Sequence, residues 1–178
     1  MDNLTRGQHY TFNNEAIRTQ TYDDATGKPI KPGDQIFGTL TIGIGHTGPD
    51  VNGKPLMPGD VWTEDKCETQ FLHDYDIAIR GAKAIFHMEF PYELWDNIGE
   101  ARQAVLADLI FNMGALRLSR FEHFRFAVEN HNWEDAALEL EWSDQARTVH
   151  TPYYDKEPIR AAKNMYMLRV GDFANGQS

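Results

Sequence analysis

The chain has 178 residues, 41% hydrophobic and 25% charged, with a formal net charge of −10. That length and balance fit one soluble globular domain with a real core, and no apolar run approaches the ~18 residues of a membrane span. The acidic excess, without any basic block, argues against nucleic acid as a partner, and a lone cysteine, Cys67, excludes an internal disulfide.

The first residues, Met-Asp-Asn-Leu-Thr-Arg, offer no apolar stretch of the kind a secretory signal needs. Residues 1–12 are polar and aromatic with weak periodicity. They lead into a helix-compatible run ending at Glu15, with Asn13 and Asn14 as possible caps and Arg18 on roughly the same helical face as Glu15. Asp24 follows nine residues after Glu15.

Residues 23–61 read as a small β region. Gly27-Lys-Pro-Ile-Lys-Pro-Gly-Asp34 recurs as Gly53-Lys-Pro-Leu-Met-Pro-Gly-Asp60, identical at six of eight positions. Pro-Gly-Asp is turn chemistry, so the repeat is read as duplicated turns and not as a binding repeat. Between the copies, Thr39-Leu-Thr-Ile-Gly-Ile-Gly-His46 alternates as a strand does, although Gly43 and Gly45 would weaken it unless something approaches closely. His46 has no second ligand at a metal-binding spacing, so no metal is expected, and no cofactor.

Trp62-Thr63-Glu-Asp-Lys opens a helix with Thr63 as N-cap and acids in its first turn. Phe71, Tyr75, Ala78 and Ile79 continue it at helical spacing to about Arg80-Gly81, with Cys67 as inert packing. After Phe90-Pro91 the pattern is strongly helical. Val105, Leu106, Leu109, Ile110 and Met113 form an apolar stripe, and Ala101, Ala104 and Ala107 admit close neighbours. Phe121, Phe124 and Phe126 fall in a further short helix. Ser143 to Tyr154 is loop-rich, Pro158 begins a closing helix running to Phe173, and Ala174 to Ser178 form a tail.

Two carboxylates converging with a hydroxyl are what hydrolysis of a glycosidic bond requires. The pattern Glu15-x-x-Arg18-x-x-x-Tyr22-x-Asp24-x-x-Gly27, followed by Thr41-Ile-Gly-Ile-Gly-His46, resembles the phage-type lysozymes and endolysins of glycoside hydrolase family 24. The resemblance runs from about Glu15 to Phe173. It implies an α+β, mainly helical lysozyme-like fold within a single catalytic domain: a small β-containing lobe at about 13–62, a connecting helix at about 63–81 and a helical lobe at about 82–173.

It further implies that Glu15 is the general acid, with Asp24 and Thr41 holding the attacking water. Gly45, Phe111 and Asn112 would line the bound glycan, although Phe111 and Met113 also suit simple core. An arginine at 160 would pair with Glu15, and His46 would form a structural ion pair with Asp74. The seventeen-residue lead from Asp24 to Thr41 exceeds that of compact relatives, so residues Lys28 to Leu40 have to loop out for Thr41 to return beside Asp24. At Phe124 and Glu139 the family's substrate contacts are not kept.

The resemblance implies an endolysin that cleaves the β-1,4 bond between N-acetylmuramic acid and N-acetylglucosamine. It would be a monomer made in the host cytoplasm without a signal and acting on the periplasmic wall after release. Its partner is the peptidoglycan strand, with no nucleic acid and no stable membrane insertion. Two alternatives stand beside it: a lytic transglycosylase, which needs only the glutamate, and a catalytically idle wall-binding module. The acidic charge gives no long-range attraction to an anionic wall, so recognition falls to short-range contacts.

Overall fold

A computed structural model describes residues 4–88 and 93–174. Phe90 and Pro91, and most of the tail from Ala174 to Ser178, lie outside the described residues. The chain divides into two compact units, Phe12–Ile77 and a larger unit formed by Ala78 onward together with the N-terminal segment through Thr11. The fold is mostly α: a small β-containing N-terminal lobe and a larger helical lobe, with one long helix passing from the first to the second.

The small unit is built on a two-stranded antiparallel sheet, β1 (Arg18–Asp23) and β2 (Leu40–Gly43). Tyr22 faces Thr41 and Asp23 faces Leu40, with a bulge between Arg18 and Tyr22. The strand read over 39–46 stops at Gly43. There Ile42 and His46 exchange main-chain hydrogen bonds at 2.9 and 3.0 Å, closing a tight turn. Gly43 and Gly45 sit in that turn at φ 66° and 74°, a left-handed backbone that side chains other than glycine rarely adopt. Gly43 also lies against Cys67, whose Sγ would be 3.5 Å from an added Cβ. The close neighbour at Gly43 is therefore protein.

The two copies of the Pro-Gly-Asp sequence fold alike. Asp34 accepts the N–H of Lys31 at 2.8 Å, and Asp60 accepts that of Met57 at 3.0 Å. Both copies flank β1: Ile30 donates to the Thr21 carbonyl, and Thr21 to the Asp60 carbonyl. Beneath them Ile30, Ile42, Ile44, Trp62, Cys67, Phe71 and Tyr75 form a small core.

Helix α2 (Glu64–Ile85) begins where expected, with Thr63 Oγ1 accepting the N–H of Lys66 at 3.2 Å. It does not stop at Gly81 but runs a further turn. Gly81 serves close packing instead, since an added Cβ would lie 3.3 Å from Ile110 Cγ2.

In the helical unit, α1 (Arg6–Asn13) contributes the fully buried Tyr10. The sequence pattern was too weak there to show a helix. The remaining helices are α3 (Glu93–Asn97), α4 (Glu100–Met113), α5 (Ala115–Leu118), α6 (Glu122–Glu129), α7 (Trp133–Glu141), α8 (Pro152–Lys156) and α9 (Pro158–Val170). Helix α4 is buried on nearly every side, as its alanines and aliphatics dictate. The loop-rich stretch after Trp142 contains α8, capped by Thr151, whose hydroxyl accepts the Tyr154 N–H at 3.0 Å. Among the described residues no helix is long and apolar enough to cross a membrane.

Candidate active site

Glu15 occupies the bend between α1 and β1, where its N–H donates to the Phe12 carbonyl at 3.1 Å. The helix ends two residues before it, so Glu15 and Arg18 do not share a helical face. The reason is local: Ile17, Thr19 and Thr21 favour extended backbone, and Arg18 opens β1. The Arg18 guanidinium instead lies 4.4 Å from the centre of the Tyr22 ring and donates to the Gly27 carbonyl at 2.7 Å.

The insert after Asp24 loops out and returns. The Asp24 N–H donates to the Thr39 carbonyl at 3.1 Å, and the Thr39 N–H donates back to Asp24 Oδ1 at 2.5 Å. Asp24 thus lies across from Thr39, and Thr41, across from Tyr22, falls one pleat repeat further along the hairpin. Asp24 is exposed, whereas Thr41 is nearly buried and donates its hydroxyl proton to the Thr39 carbonyl at 3.1 Å. The lone pairs of that hydroxyl remain able to accept from a water.

Tyr22 registers the charges around it. Burial raises the pKa of its phenol, the Arg18 guanidinium lowers it, and the carboxylates of Glu15 and Asp24 both raise it further. The two carboxylates flanking β1 are therefore within electrostatic reach of one hydroxyl.

Sequence reading missed Asp23, the residue that holds the insert. Its carboxylate, inaccessible to solvent, accepts N–H groups from Ala25 at 3.0 Å, Phe37 at 2.9 Å and Gly38 at 2.9 Å. The Phe37 N–H and then burial act most strongly, in opposite senses, and with the remaining donors the pKa is lowered. Strand alternation was the available signal, since Tyr22 and Asp23 at the end of β1 must face opposite sides of the sheet.

His46 and Asp74 come together, with Nδ1 2.8 Å from Asp74 Oδ2 and Nε2 2.7 Å from the Gly48 carbonyl. Burial lowers the imidazole pKa, but Asp74 and the neighbouring carbonyls outweigh it and raise the net value. Asp74 also accepts from Gln70, whose amide oxygen takes the Val51 N–H at 2.6 Å. Next to it Asp50 accepts from Lys66 Nζ at 2.7 Å and from the N–H groups of Asn52 and Lys54. Lys66 above all, with those N–H groups, brings Asp50 down to about 2.

In the helical unit, Asn112 is exposed on the last turn of α4, while Phe111 and Met113 pack partly buried on the core. Arg160 is buried and forks onto Asp108, Nε to Oδ2 at 2.9 Å and Nη2 to Oδ1 at 2.7 Å. Asp108 also accepts from the Thr11 hydroxyl at 2.9 Å and the Asn164 amide at 3.1 Å. Asn164 in turn donates to Tyr153 and accepts from Tyr10 at 2.6 Å. Burial, with the Asp108 charge behind it, raises the Tyr153 phenol. Sequence reading passed over Asp108, although an aspartate inside Ala-Val-Leu-Ala-Asp-Leu-Ile announces a buried partner. Phe124 is core, and Glu139 lines an open cavity of about 220 Å³ with Phe121, Trp142 and Thr151.

A small sheet-bearing lobe with two carboxylates beside its hairpin, continued by one long helix into a helical lobe, defines a lysozyme-like protein. More narrowly, the chain belongs to the phage lysozyme family, which its residues 13–151 match. Over 81 residues it is 30% identical to a Dictyostelium discoideum protein described as probable T4-type lysozyme 2. That stretch is 44% of this chain and 46% of the relative, so the chain spans about half the length of the curated relative it matches.

Proposed function

We propose that the protein is a muramidase of the endolysin type, hydrolysing the β-1,4 bond between N-acetylmuramic acid and N-acetylglucosamine in peptidoglycan. Glu15 serves as general acid to the leaving oxygen. Asp24 and Thr41 orient a water on the opposite face of the sugar, Asp24 as base and Thr41 through its free lone pairs. The observation that carries this reading is the return of the insert. In a chain of this family, it brings β2 with Thr41 back against β1, which ends one residue before Asp24, with Glu15 and Asp24 both acting on Tyr22.

In this scheme Gly45 and Asn112 contact the glycan and Phe111 backs Asn112. The protein acts as a monomer on the periplasmic wall after synthesis in the host cytoplasm. Bond cleavage is stepwise in proton terms: the acid proton leaves Glu15 for the glycosidic oxygen, and the water proton passes to Asp24.

Glu15→Gln decides the matter. Expected is loss of turbidity clearing and of reducing-end release from purified sacculi, with an unchanged far-UV spectrum. Wild-type activity in that variant removes Glu15 as the acid. Asp24→Ala separates hydrolysis from transglycosylation: a variant that stays active and releases anhydro-sugar products would overturn the water-activating role of Asp24.

A further inference from the structure

The insert between Asp24 and Thr41 is absent from the compact pattern the chain otherwise follows, and its far end is fixed unusually firmly. Three successive main-chain N–H groups, of Phe37, Gly38 and Thr39, all donate to the two neighbouring carboxylates Asp23 and Asp24. Gly38 packs directly on Asp24: an added Cβ would collide with Asp24 Oδ1 and lie 2.7 Å from Ala25 Cβ. Its neighbour Phe37, one Cα step of about 3.8 Å away, is 69% exposed.

An exposed phenylalanine forgoes the stabilisation its burial would bring, yet a single one on a surface needs no explanation. Phe37 differs in how it is held. A buried carboxylate grips its own N–H, so the residue is presented from a fixed backbone beside the candidate base.

Building on the muramidase reading, we propose that Phe37 is a sugar-binding platform, stacking its ring on the apolar C–H face of an N-acetylated sugar next to Asp24. Asp23 is the positioning residue that presents it. A β-1,4-linked glycan carries its polar groups equatorially and leaves ring faces apolar, and an aromatic side chain gives such a face contact area at little cost in side-chain freedom. This also gives an acidic protein a short-range hold on an anionic polymer.

The test uses the full chain and soluble, uncrosslinked glycan strands of alternating N-acetylglucosamine and N-acetylmuramic acid. Phe37→Ala is expected to raise KM about three- to tenfold, the worth of one aromatic contact, with kcat nearly unchanged. Phe37→Trp should restore KM. Asp23→Ala should raise KM too, and adding Phe37→Ala to it should raise KM little more, since both remove one element. Unchanged KM in Phe37→Ala, or fully additive effects in the double variant, would overturn the proposal.

A binding measurement keeps this separate from the muramidase reading. In the Glu15→Gln background, calorimetric titration with the same strands should weaken by the same factor on Phe37→Ala. If the wild type cleaves nothing yet this loss appears, the catalytic reading fails and the platform stands. If cleavage proceeds and the loss is missing, the platform alone fails.

Discussion

The two units solve the same problem with different chemistry. In the helical unit the main chain is satisfied by its own helices, and side chains are left to fill a large apolar core. Most of its buried polar groups converge on one place, Asp108, where Thr11, Arg160 and Asn164 all bond to the same carboxylate. The small unit has only ten strand residues in its sheet, β1 and β2 together. Its irregular backbone is satisfied by aspartates instead: Asp23, Asp34, Asp50 and Asp60 each accept main-chain N–H groups. The helical unit repeats the device in the irregular stretch after Trp142, where Asp144 accepts from Thr148 and Val149. Where ladders are missing, carboxylates close the backbone's account, and the acidic composition follows in part from that need.

The comparison breaks most readily at Asp108. Asp108→Ala leaves Arg160 buried without its bidentate partner, and breaking such a pair costs about 3–5 kcal/mol. Urea denaturation followed by circular dichroism should show that loss. Replacing both residues with apolar ones of similar volume should recover most of it, because the pair's desolvation cost disappears with the pair. A loss below about 1 kcal/mol for the single change would mean the network contributes little, and the helical unit would rest on its apolar core alone.

Gly38→Ala comes next and acts on the other unit. The new methyl has to displace Asp24 or Ala25, an overpacking that costs about 1–3 kcal/mol. If Asp24 holds the water as proposed, activity should fall further than stability does, because displacing such a carboxylate by about 1 Å can cost around 100-fold in rate. A thermal melt and a turbidity assay on one sample separate the two. Equal, small losses in both would show that the contact with Asp24 has no bearing on the chemistry.

These two positions also mark where the sequence stopped being legible. The return of the insert beside Asp24 and the His46–Asp74 pair were readable because a short motif keeps residue types and local backbone together. The stripe of α4 and the cap at Thr63 were readable from periodicity and capping chemistry. What escaped were residues whose partners are remote or irregular in sequence. Asp108 meets Arg160 52 positions later, and Asp23 reaches Phe37 14 positions later across an insert. Neither distance follows a helical or strand period, so no pattern announces it. The same cause explains why α2 was ended early at Gly81. A glycine reads as a helix end until the neighbour that needs its bare Cα, Ile110, is in view.

Gly43→Ala sharpens the contrast at a smaller scale. Its Cβ would meet Cys67 at ordinary contact distance, so space is not the obstacle. The positive φ of 66° is, and an alanine there should cost about 1–2 kcal/mol. A chemical denaturation midpoint lowered by that amount, with the Cys67 thiol still protected from labelling reagents, is the expected result. A newly reactive Cys67 would show instead that the turn had moved off α2.

The mildest effect near neutrality, yet the most selective between units, is that of pH. Asp50 has a folded-state pKa of about 2 against an ordinary 3.8, and Asp23 is lowered as well. A lowered carboxylate contributes stability fully above its unfolded pKa and loses it as pH falls through the folded value, here between about pH 4 and 2. His46 has the opposite sign. Its pKa is raised above 6.5 by Asp74, so its contribution is complete below 6.5 and disappears as pH rises through the raised value. The small unit is thus weakened from both sides. Amide exchange should show this first at Phe37, Gly38, Asn52 and Lys54 in acid, while the amides of α4 and α9 stay protected. Asp74→Asn should flatten the alkaline limb and leave the acid limb alone, because the carboxylates clamping the loops would be untouched. If α4 lost protection together with those loops at pH 3, the aspartate clamps would not be what sets the small unit's acid limit.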